Sequence, residues 1–361
     1  MRIREPSGER HSFRDSPPFR KGARLTKPIR VIQYGLGPIG IEAARMVLQR
    51  PYLELVAAID FSPALQGKDA GEILGKGKLG IPIYASIDQL PRKFSAQVVL
   101  HTTVSWLEDA LPQINACIQK NFSVISTTEE LLYPQWKYPD IARQLDHFAE
   151  QHKVAVFGTG VNPGFVLDTV AILLSAACIQ VDSISLQRVV NAATRRFPLQ
   201  KKIGAGMTVQ EFRKQARSGR MGHVGFVETI ALVAHAMGWK LDNIRETLKP
   251  KVADRLLRTQ FLSVEPGQVT GIHQTCRGKI GRKTLIDADL QMYIGAPDPF
   301  DRIVVRGNPG IACHLEKGVA GDEATIAMLV NAIPLIVDAP PGLKTVLDLP
   351  LVRWTGNRPG Q

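Results

Sequence analysis

The glycine-rich segment Gly35-Leu36-Gly37-Pro38-Ile39-Gly40 constrains the fold of this chain more than any other feature. It follows the short apolar run RVIQYG and precedes IEAARMVLQR, whose apolar residues suit a partly buried helix. In this context the first glycine (Gly35) permits a tight turn, Gly37 lets a ligand approach the backbone, and Gly40 lets the helix pack on the strand. The N–H groups at the start of such a helix attract phosphate, so the segment predicts a dinucleotide-binding turn.

Apolar strand-like runs continue to alternate with helical segments as far as Gly160. The runs are LELVAAID, AQVVLHTT, FSVIST and VAVFGTG. This alternation predicts an α/β fold in which residues 29–161 form a Rossmann-type, doubly wound parallel sheet. The boundary of this first domain is expected where the rhythm stops.

Residues 162–317 have a different pattern and are expected to form a second, α+β domain. Their strand-like runs QVTGIHQTCRG, KTLIDADLQMYIG and DRIVVRG are joined by short turns, which predicts a mixed or antiparallel sheet. Two apolar helices are expected as well, one over NPGFVLDTVAILLSAAC with Pro163 in its first turn and one over GHVGFVETIALVAHAMGW.

Asp60 ends the second strand-like run, twenty residues after Gly40. A carboxylate at this position bonds the adenosine ribose of NAD and repels the 2′-phosphate of NADP. The sequence therefore favours NAD, although Lys68 could reach a phosphate if the intervening loop folds back.

Polar residues follow the fourth, fifth and sixth strands, whose carboxyl ends border the ligand crevice in such sheets. Thr102 and Thr103 are candidates to contact the nicotinamide ribose, and Asn162 is a candidate to bind the carboxamide. Glu129 and Glu130 are the only acids at these three strand ends, and a partly desolvated glutamate can act as general base. Alternatively, Ser126-x-x-Glu129 and Thr127-x-x-Glu130 are capping boxes that only start a helix. Spacing leaves open which glutamate faces the cofactor.

The second domain contains a basic cluster of Arg195, Arg196, Lys201 and Lys202. This cluster is either a solvated surface or a contact for a cofactor phosphate or an acidic substrate. His223 and His235 are interpreted as lying on one helix, one in the active site or a cap and the other in the core. No histidine or cysteine spacing indicates a metal site, so none is expected.

Composition excludes several other classes of protein. The chain has a formal net charge of +12, but residues 1–28 contain eight basic against three acidic side chains and are expected to be a disordered basic tail. The dispersed remainder argues against nucleic acid. Four scattered cysteines and the lack of an apolar leader predict a reduced, cytoplasmic protein. The longest apolar stretch, residues 165–181, is too short and polar to span a membrane.

The motifs YGLGPIG, VISTTEELLYP, GTGVNPGFVLD, RVVNAATRRFPLQKKIGAGMTVQEF and GHVGF, in this order, resemble the 2,4-diaminopentanoate dehydrogenase family. That family includes the native amine dehydrogenases and is distantly similar to dihydrodipicolinate reductase. The resemblance covers about residues 29–350. It implies NAD(P)-dependent, reversible oxidative deamination of a primary amine or diamino acid to a ketone and ammonia.

The resemblance also implies roles for particular residues. A glutamate after the fifth strand acts in water addition and ammonia release, and this role falls on Glu129 first and Glu130 second. Independently of the resemblance, Arg195, Arg196 and Lys201 are candidates to bind the carboxylate if the substrate is a diamino acid, and His223 is a candidate substrate-binding residue. Residues 318–361, with a helix from Gly321, would pack on the cofactor domain, and the protein would be a homodimer.

Two other functions remain open on the sequence alone. One is a reductase of a cyclic imine or aldehyde, as in dihydrodipicolinate or homoserine metabolism. Such an enzyme would usually place a lysine or histidine where this chain has Glu129 and Glu130. The other is a non-catalytic NAD(P)-binding sensor.

Overall fold

The computed structural model describes residues 27–219 and 221–356. The predicted disordered tail over residues 1–28 therefore lies almost wholly outside the described residues. Two large sheets organise the rest of the chain.

The first sheet has seven strands, all parallel. They are β1 (Ile29–Tyr34), β2 (Leu53–Ile59), β3 (Ile83–Tyr84), β4 (Val98–His101), β5 (Ser123–Ser126), β6 (Ala155–Gly158) and β15 (Gly342–Lys344). Their order across the sheet is β15-β6-β5-β4-β1-β2-β3. The helices of this sheet are α1 (Pro38–Leu48), α2 (Ala70–Ile73), α3 (Leu107–Gln119), α4 (Pro139–Gln151) and α9 (Gly321–Val337). Apolar strand residues are buried by helices on both faces, which is why these strands lack a polar alternation. The predicted Rossmann-type sheet is confirmed.

The second sheet has six strands. They are β7 (Gln180–Asn191), β8 (Asn243–Val252), β11 (Val269–Ile280), β12 (Lys283–Tyr293), β13 (Phe300–Asn308) and β14 (Ile311–Glu316). Their order across the sheet is β14-β13-β7-β12-β11-β8. Only β7 and β12 pair in parallel, so the sheet is mixed, as the sequence predicts. A small hairpin of β9 (Leu257–Arg258) and β10 (Ser263–Val264) lies apart from it.

Four helices accompany the second sheet: α5 (Thr169–Ser175), α6 (Phe197–Lys202), α7 (Val209–Ala216) and α8 (Phe226–Ala236). Helix α5 begins later than predicted, because Gly164 has φ +125 and the Asp168 carboxylate accepts the N–H of Thr169 as a cap. Helix α8 also begins later, because Gly225 adopts φ +89. His223 therefore lies before this helix, and the interpretation of His223 and His235 on one helix is wrong.

The chain returns to the first sheet at its carboxyl end. Helix α9 packs against α1 and over β4, β5 and β6, and β15 adds an edge strand beside β6. The hydroxyl of Thr325 on α9 accepts the N–H of Val161, at the point where the chain leaves β6. None of the helices in the described ranges is long and apolar enough to cross a bilayer.

A buried ion pair crosses the second sheet near this return. Arg188 on β7 donates through Nη1 to Asp301 Oδ2 on β13 at 2.7 Å and through Nη2 to the carbonyl of Val319 at 2.7 Å. The two side chains are 5% and 0% exposed. Breaking such a pair leaves one uncompensated charge in the interior.

We expect Asp301→Ala to lower the free energy of unfolding by about 3–5 kcal/mol, because Arg188 would lose its buried counter-ion. The matched control is Asp287→Ala, which breaks the Arg277–Asp287 pair of the same sheet, whose side chains are 54% and 44% exposed. That change should cost less than about 1 kcal/mol. Urea titration of both variants tests the difference, and equal losses would contradict the importance of the buried pair.

Candidate active site

A cleft of about 460 Å³ lies between the two sheets and receives side chains from both. The carboxyl ends of β1, β4, β5 and β6 contribute one wall. The other wall comes from β7, α6, the segment before α8, and strands β11 and β12. The start of α9 closes one end.

The glycine-rich turn joins β1 to α1 at this cleft. Gly35 has φ +91, and a Cβ on Gly40 would lie 1.9 Å from the carbonyl oxygen of Gly35, so no larger residue fits there. Gly37 caps α1 without a side-chain bond and has open space beside it. Gly37, Pro38 and Ile39 line the cleft, so the unpaired N–H groups at the start of α1 are directed to a region open to a ligand.

Asp60 lies at the end of β2 beside this turn and does not line the main cleft. Its Oδ2 accepts the N–H of Leu36 at 2.8 Å, and its Oδ1 accepts the N–H of Ser62 at 2.9 Å. A carboxylate has about four acceptor positions, so each oxygen can still accept from a ligand hydroxyl.

Thr102 and Thr103 line the cleft, but their hydroxyls already bond to protein. Thr102 Oγ1 donates towards the carbonyl of Gly35 at 3.1 Å and accepts from Gln33 Nε2 at 2.8 Å. Thr103 Oγ1 donates to Gln113 Oε1 at 2.8 Å. In this structure Thr102 therefore braces the glycine turn, a contact that the sequence did not reveal.

Asn162 and His223 meet across the cleft. Asn162 Nδ2 donates to His223 Nε2 at 3.1 Å, while Asn162 Oδ1 is buried with no partner among the described residues. Burial lowers the pKa of His223 to about 3, helped by the nearby charges of Lys202 and Arg188. The imidazole is therefore neutral near pH 7, and its Nε2 is the acceptor.

The two adjacent glutamates occupy different environments in the one-turn 3-10 helix Glu129–Leu132. Glu129 lines the cleft, 22% exposed, and its Oε1 lies 3.6 Å from Lys202 Nζ on α6. Glu130 is 1% exposed and does not line the cleft. Its Oε2 accepts the N–H of Leu107 at 2.8 Å, and its Oε1 accepts from Lys137 and Tyr138. These contacts anchor the start of α3, so the geometry favours Glu129 over Glu130 as the glutamate that faces a ligand.

The capping-box alternative for this pair is also wrong. Thr128 is the N-cap of the turn, and no side chain makes a capping bond there. The Ser126 hydroxyl instead accepts the N–H of Thr128.

The basic cluster divides in two. Lys201 is exposed, contacts the ring of Phe197 and does not line the cleft, so its prediction as a substrate contact is corrected. Its neighbour Lys202 faces the cleft instead, because successive helical residues point about 100° apart. Arg195 and Arg196 line the cleft at its other end, where both bond to Asp322.

Two charged cleft residues, Arg188 and Asp322, are not among those that the sequence singled out, and Lys202 was not distinguished from its neighbours. Arg188 carried a usable signal, since it follows Ile184 and Leu186 at the period of two that marks an inward strand face. Asp322 carried none, because its partners are 126 and 127 residues away in sequence.

The parallel sheet, the glycine turn and the cleft beyond the strand ends define a Rossmann-type, dinucleotide-binding protein. The sequence model described as "2,4-diaminopentanoate dehydrogenase C-terminal domain" matches residues 165–358, and that of the dihydrodipicolinate reductase N-terminus matches residues 29–131. The 2,4-diaminopentanoate dehydrogenase of Acetoanaerobium sticklandii is 32% identical over 338 residues, 90% of this chain and 94% of the relative. The chain belongs to the 2,4-diaminopentanoate dehydrogenase family, which confirms the resemblance.

Two further proteins are similar over nearly the whole chain. An amine dehydrogenase from Streptomyces virginiae is 25% identical over 363 residues, covering 90% of this chain and 96% of the relative. The solved structure of an amine dehydrogenase from Mycobacterium smegmatis shares the fold with a TM-score of 0.82 at 23% identity, covering 91% of this chain and 98% of that one.

Two histidines predict a pH dependence of stability: His101 is fully buried behind the cleft, and His223 lines the cleft and is partly exposed. Burial lowers the pKa of His101 to about 4 and that of His223 to about 3, from 6.5. Both stay neutral when folded but bind protons below pH 6.5 when unfolded, so stability should fall as pH drops from 6.5 towards 4. Each histidine lowers the free energy of unfolding by up to about 1.4 kcal/mol for each pH unit of this decrease.

Urea titrations at several pH values measure this slope. In His101→Gln this slope should correspond to about one fewer proton taken up on unfolding. His147→Gln, a change at an exposed position on α4, should leave the slope unchanged. An unchanged slope in His101→Gln would show that this histidine is not held neutral.

Proposed function

We propose that this protein is an NAD(P)-dependent oxidoreductase that reversibly deaminates a primary amine, or a diamino acid, to a ketone and ammonia. The observation that carries the proposal is the Glu129 carboxylate, which lines the same cleft as the phosphate-binding turn and a group of apolar side chains. Membership of the 2,4-diaminopentanoate dehydrogenase family supports the class of reaction.

The cleft is chemically suited to a dinucleotide. Gly37, Pro38 and Ile39 would approach the pyrophosphate, and Asn162, whose buried Oδ1 has no protein partner in the described ranges, would bond the carboxamide. The hydroxyl of Thr159 is another buried cleft atom without a partner there. When bound, the nicotinamide ring accepts the hydride that leaves the amine-bearing carbon.

Asp60 supports NAD as the preferred cofactor. Its carboxylate is fixed by Leu36 and Ser62, and a fixed negative charge at this position repels a 2′-phosphate. Lys68, the residue that could have favoured NADP, is exposed.

Glu129 would act on the carbon that has lost hydride. Water attacks the electrophilic iminium carbon, and Glu129 accepts the proton that the water releases, which gives a carbinolamine. Glu129 then returns this proton to the nitrogen, and the hydroxyl proton passes to the Glu129 carboxylate as the C–N bond breaks and the ketone and ammonia form. Lys202 lies 3.6 Å away and would orient the carboxylate towards the cleft. Neutral His223 offers no positive charge to repel the iminium.

The substrate side of the cleft suits a short carbon chain. Its apolar lining includes Val190, Leu199, Ile203, Ile272 and Met292. A diamino acid would additionally require a cation for its carboxylate, and Lys202 is the closest candidate to His223 and Glu129. The model of the dihydrodipicolinate reductase N-terminus matches residues 29–131, which contain the glycine-rich turn, so this match supports cofactor binding more than imine reduction.

A homodimer and a cytoplasmic location remain part of this proposal. The face of the second sheet opposite α5 and α8 carries partly exposed polar side chains, among them Gln187, His273 and Asp289, which could form a symmetric interface. Light scattering on the purified protein measures the mass in solution.

The decisive assay follows oxidation of NADH and NADPH with a panel of short ketones and 2-amino-4-oxo acids, with and without high ammonium. We expect turnover only with ammonium, and faster with NADH. Equal turnover without ammonium, giving alcohols, would reject the proposal.

Variants test the assignment to Glu129 in the same assay. Glu129→Gln should lower kcat by about 10²–10⁴-fold with unchanged affinity for NADH, because it removes the proton acceptor. Glu130→Gln should retain turnover in the protein that folds but lower the unfolding temperature, because the carboxylate that binds Leu107 and Lys137 is lost. The opposite pattern would assign catalysis to Glu130.

A further inference from the structure

Two consecutive arginines share one carboxylate at the end of the cleft. Arg195 Nη2 donates to Asp322 Oδ1 at 2.7 Å, and Arg196 donates through Nε to Asp322 Oδ2 at 2.9 Å and through Nη2 to Oδ1 at 3.3 Å. The arginines follow β7 of the second sheet, while Asp322 lies in the first turn of α9, which packs on the first sheet. The cluster therefore bridges the two walls of the cleft.

The positive charge of this cluster exceeds the negative charge of its one carboxylate. Two guanidinium groups face a single carboxylate, and Arg195 Nε is buried without a partner among the described residues. Arg195 also lies directly over the start of α9, since a Cβ on Gly321 would come within 2.5 Å of both of its terminal nitrogens. The positive end of a helix dipole adds to the local potential.

The excess charge lies beside the glycine-rich turn. Arg195, Arg196 and Asp322 line the same cleft as Gly37, Pro38 and Ile39. Arg196 and Asp322 also continue into the adjoining groove, where they again meet Pro38 and Ile39. The start of α1 and the two guanidinium groups thus border the same cleft, and forked guanidinium donors match phosphate oxygens.

We propose that Arg195 and Arg196 bind the pyrophosphate of the dinucleotide from the wall opposite the glycine turn, and that Asp322 balances part of their charge in the free enzyme. This inference rests on the proposed function in one respect, that the ligand is a dinucleotide, and it does not require the amine reaction. It reassigns the two arginines from the substrate to the cofactor. Lys202 and Arg188, whose charges act on His223, remain as the cations of the substrate side.

A pyrophosphate site here explains why Arg195 and Arg196 share the single carboxylate of Asp322. Without Asp322, two guanidinium groups and the start of α9 would repel one another before the cofactor arrives. Once a doubly charged pyrophosphate is present, it supplies the negative charge that the cluster lacks. The same contact would draw the second sheet towards the glycine turn, because the arginines belong to one wall and α1 to the other.

Calorimetric titration with ADP-ribose tests the contact, since this ligand has the pyrophosphate but no nicotinamide and needs no amine chemistry. Arg196→Ala and Arg195→Ala should each weaken binding by roughly 10- to 100-fold, as expected for a charged hydrogen bond. Arg196→Lys should lose less, since it keeps the charge without the fork. Arg213→Ala, at an exposed position on α7, is the matched control and should bind as the parent does.

The Asp322→Asn variant distinguishes two roles for the arginines: contact with the phosphate, or an ion-pair bridge between the two walls of the cleft. If the arginines contact phosphate, this variant should bind ADP-ribose within about threefold of the parent or more tightly, because a competing carboxylate charge is gone. A loss as large as that of the arginine variants would overturn the proposal, since the bridge itself would then be what matters. Thermal melting identifies any variant whose loss reflects unfolding.

Steady-state kinetics test the alternative that the two arginines bind the substrate. If Arg196→Ala raised the KM for a carboxylated amine only, with ADP-ribose affinity unchanged, the arginines would bind substrate and the inference would be wrong. Because ADP-ribose binding does not depend on the amine reaction, failure of the proposed function would leave this result interpretable.

Discussion

The buried contact of Arg188 with Asp301 and Val319 is the interaction on which the cleft depends. Arg188 lies on an inward position of β7, and its guanidinium joins β13 to the segment that leads into α9. Asp301 Oδ2 also accepts the N–H of Val319, so both partners bind the same turn of chain. Since α9 brings Asp322 and Thr325 to the strand ends, this contact ties the second sheet to the segment that leads into the first wall of the cleft.

The cleft separates charges that are close together in sequence. Glu129 and Glu130 are neighbours, yet one faces the cavity beside Lys202 and the other is buried as an anchor for α3. Lys201 and Lys202 divide in the same way on α6. In both pairs the local helical turn directs one side chain towards the cleft and its neighbour elsewhere, so one carboxylate and one ammonium group from these pairs line the cleft.

Much of the fold follows from local patterns in the sequence. Continuous apolar runs predicted the strands of the parallel sheet, and the glycine spacing predicted the turn before α1. The starts of α5 and α8 were misplaced because apolar residues continue across Gly164 and Gly225, whose positive φ angles end the helical path. Contacts between distant segments, such as those of Asp322 with Arg195 and Arg196, could not be predicted, because no local spacing encodes them.

In the proposed reductive direction, the cleft adds hydride and ammonia to the same carbon. Mass spectrometry of the product formed from a ketone, 4-deuterated NADH and ¹⁵N-ammonium tests this in one measurement. We expect an amine with one deuterium on the carbon that bears ¹⁵N. A deuterated alcohol without ¹⁵N would show that the protein reduces carbonyl groups, and would contradict the role proposed for Glu129.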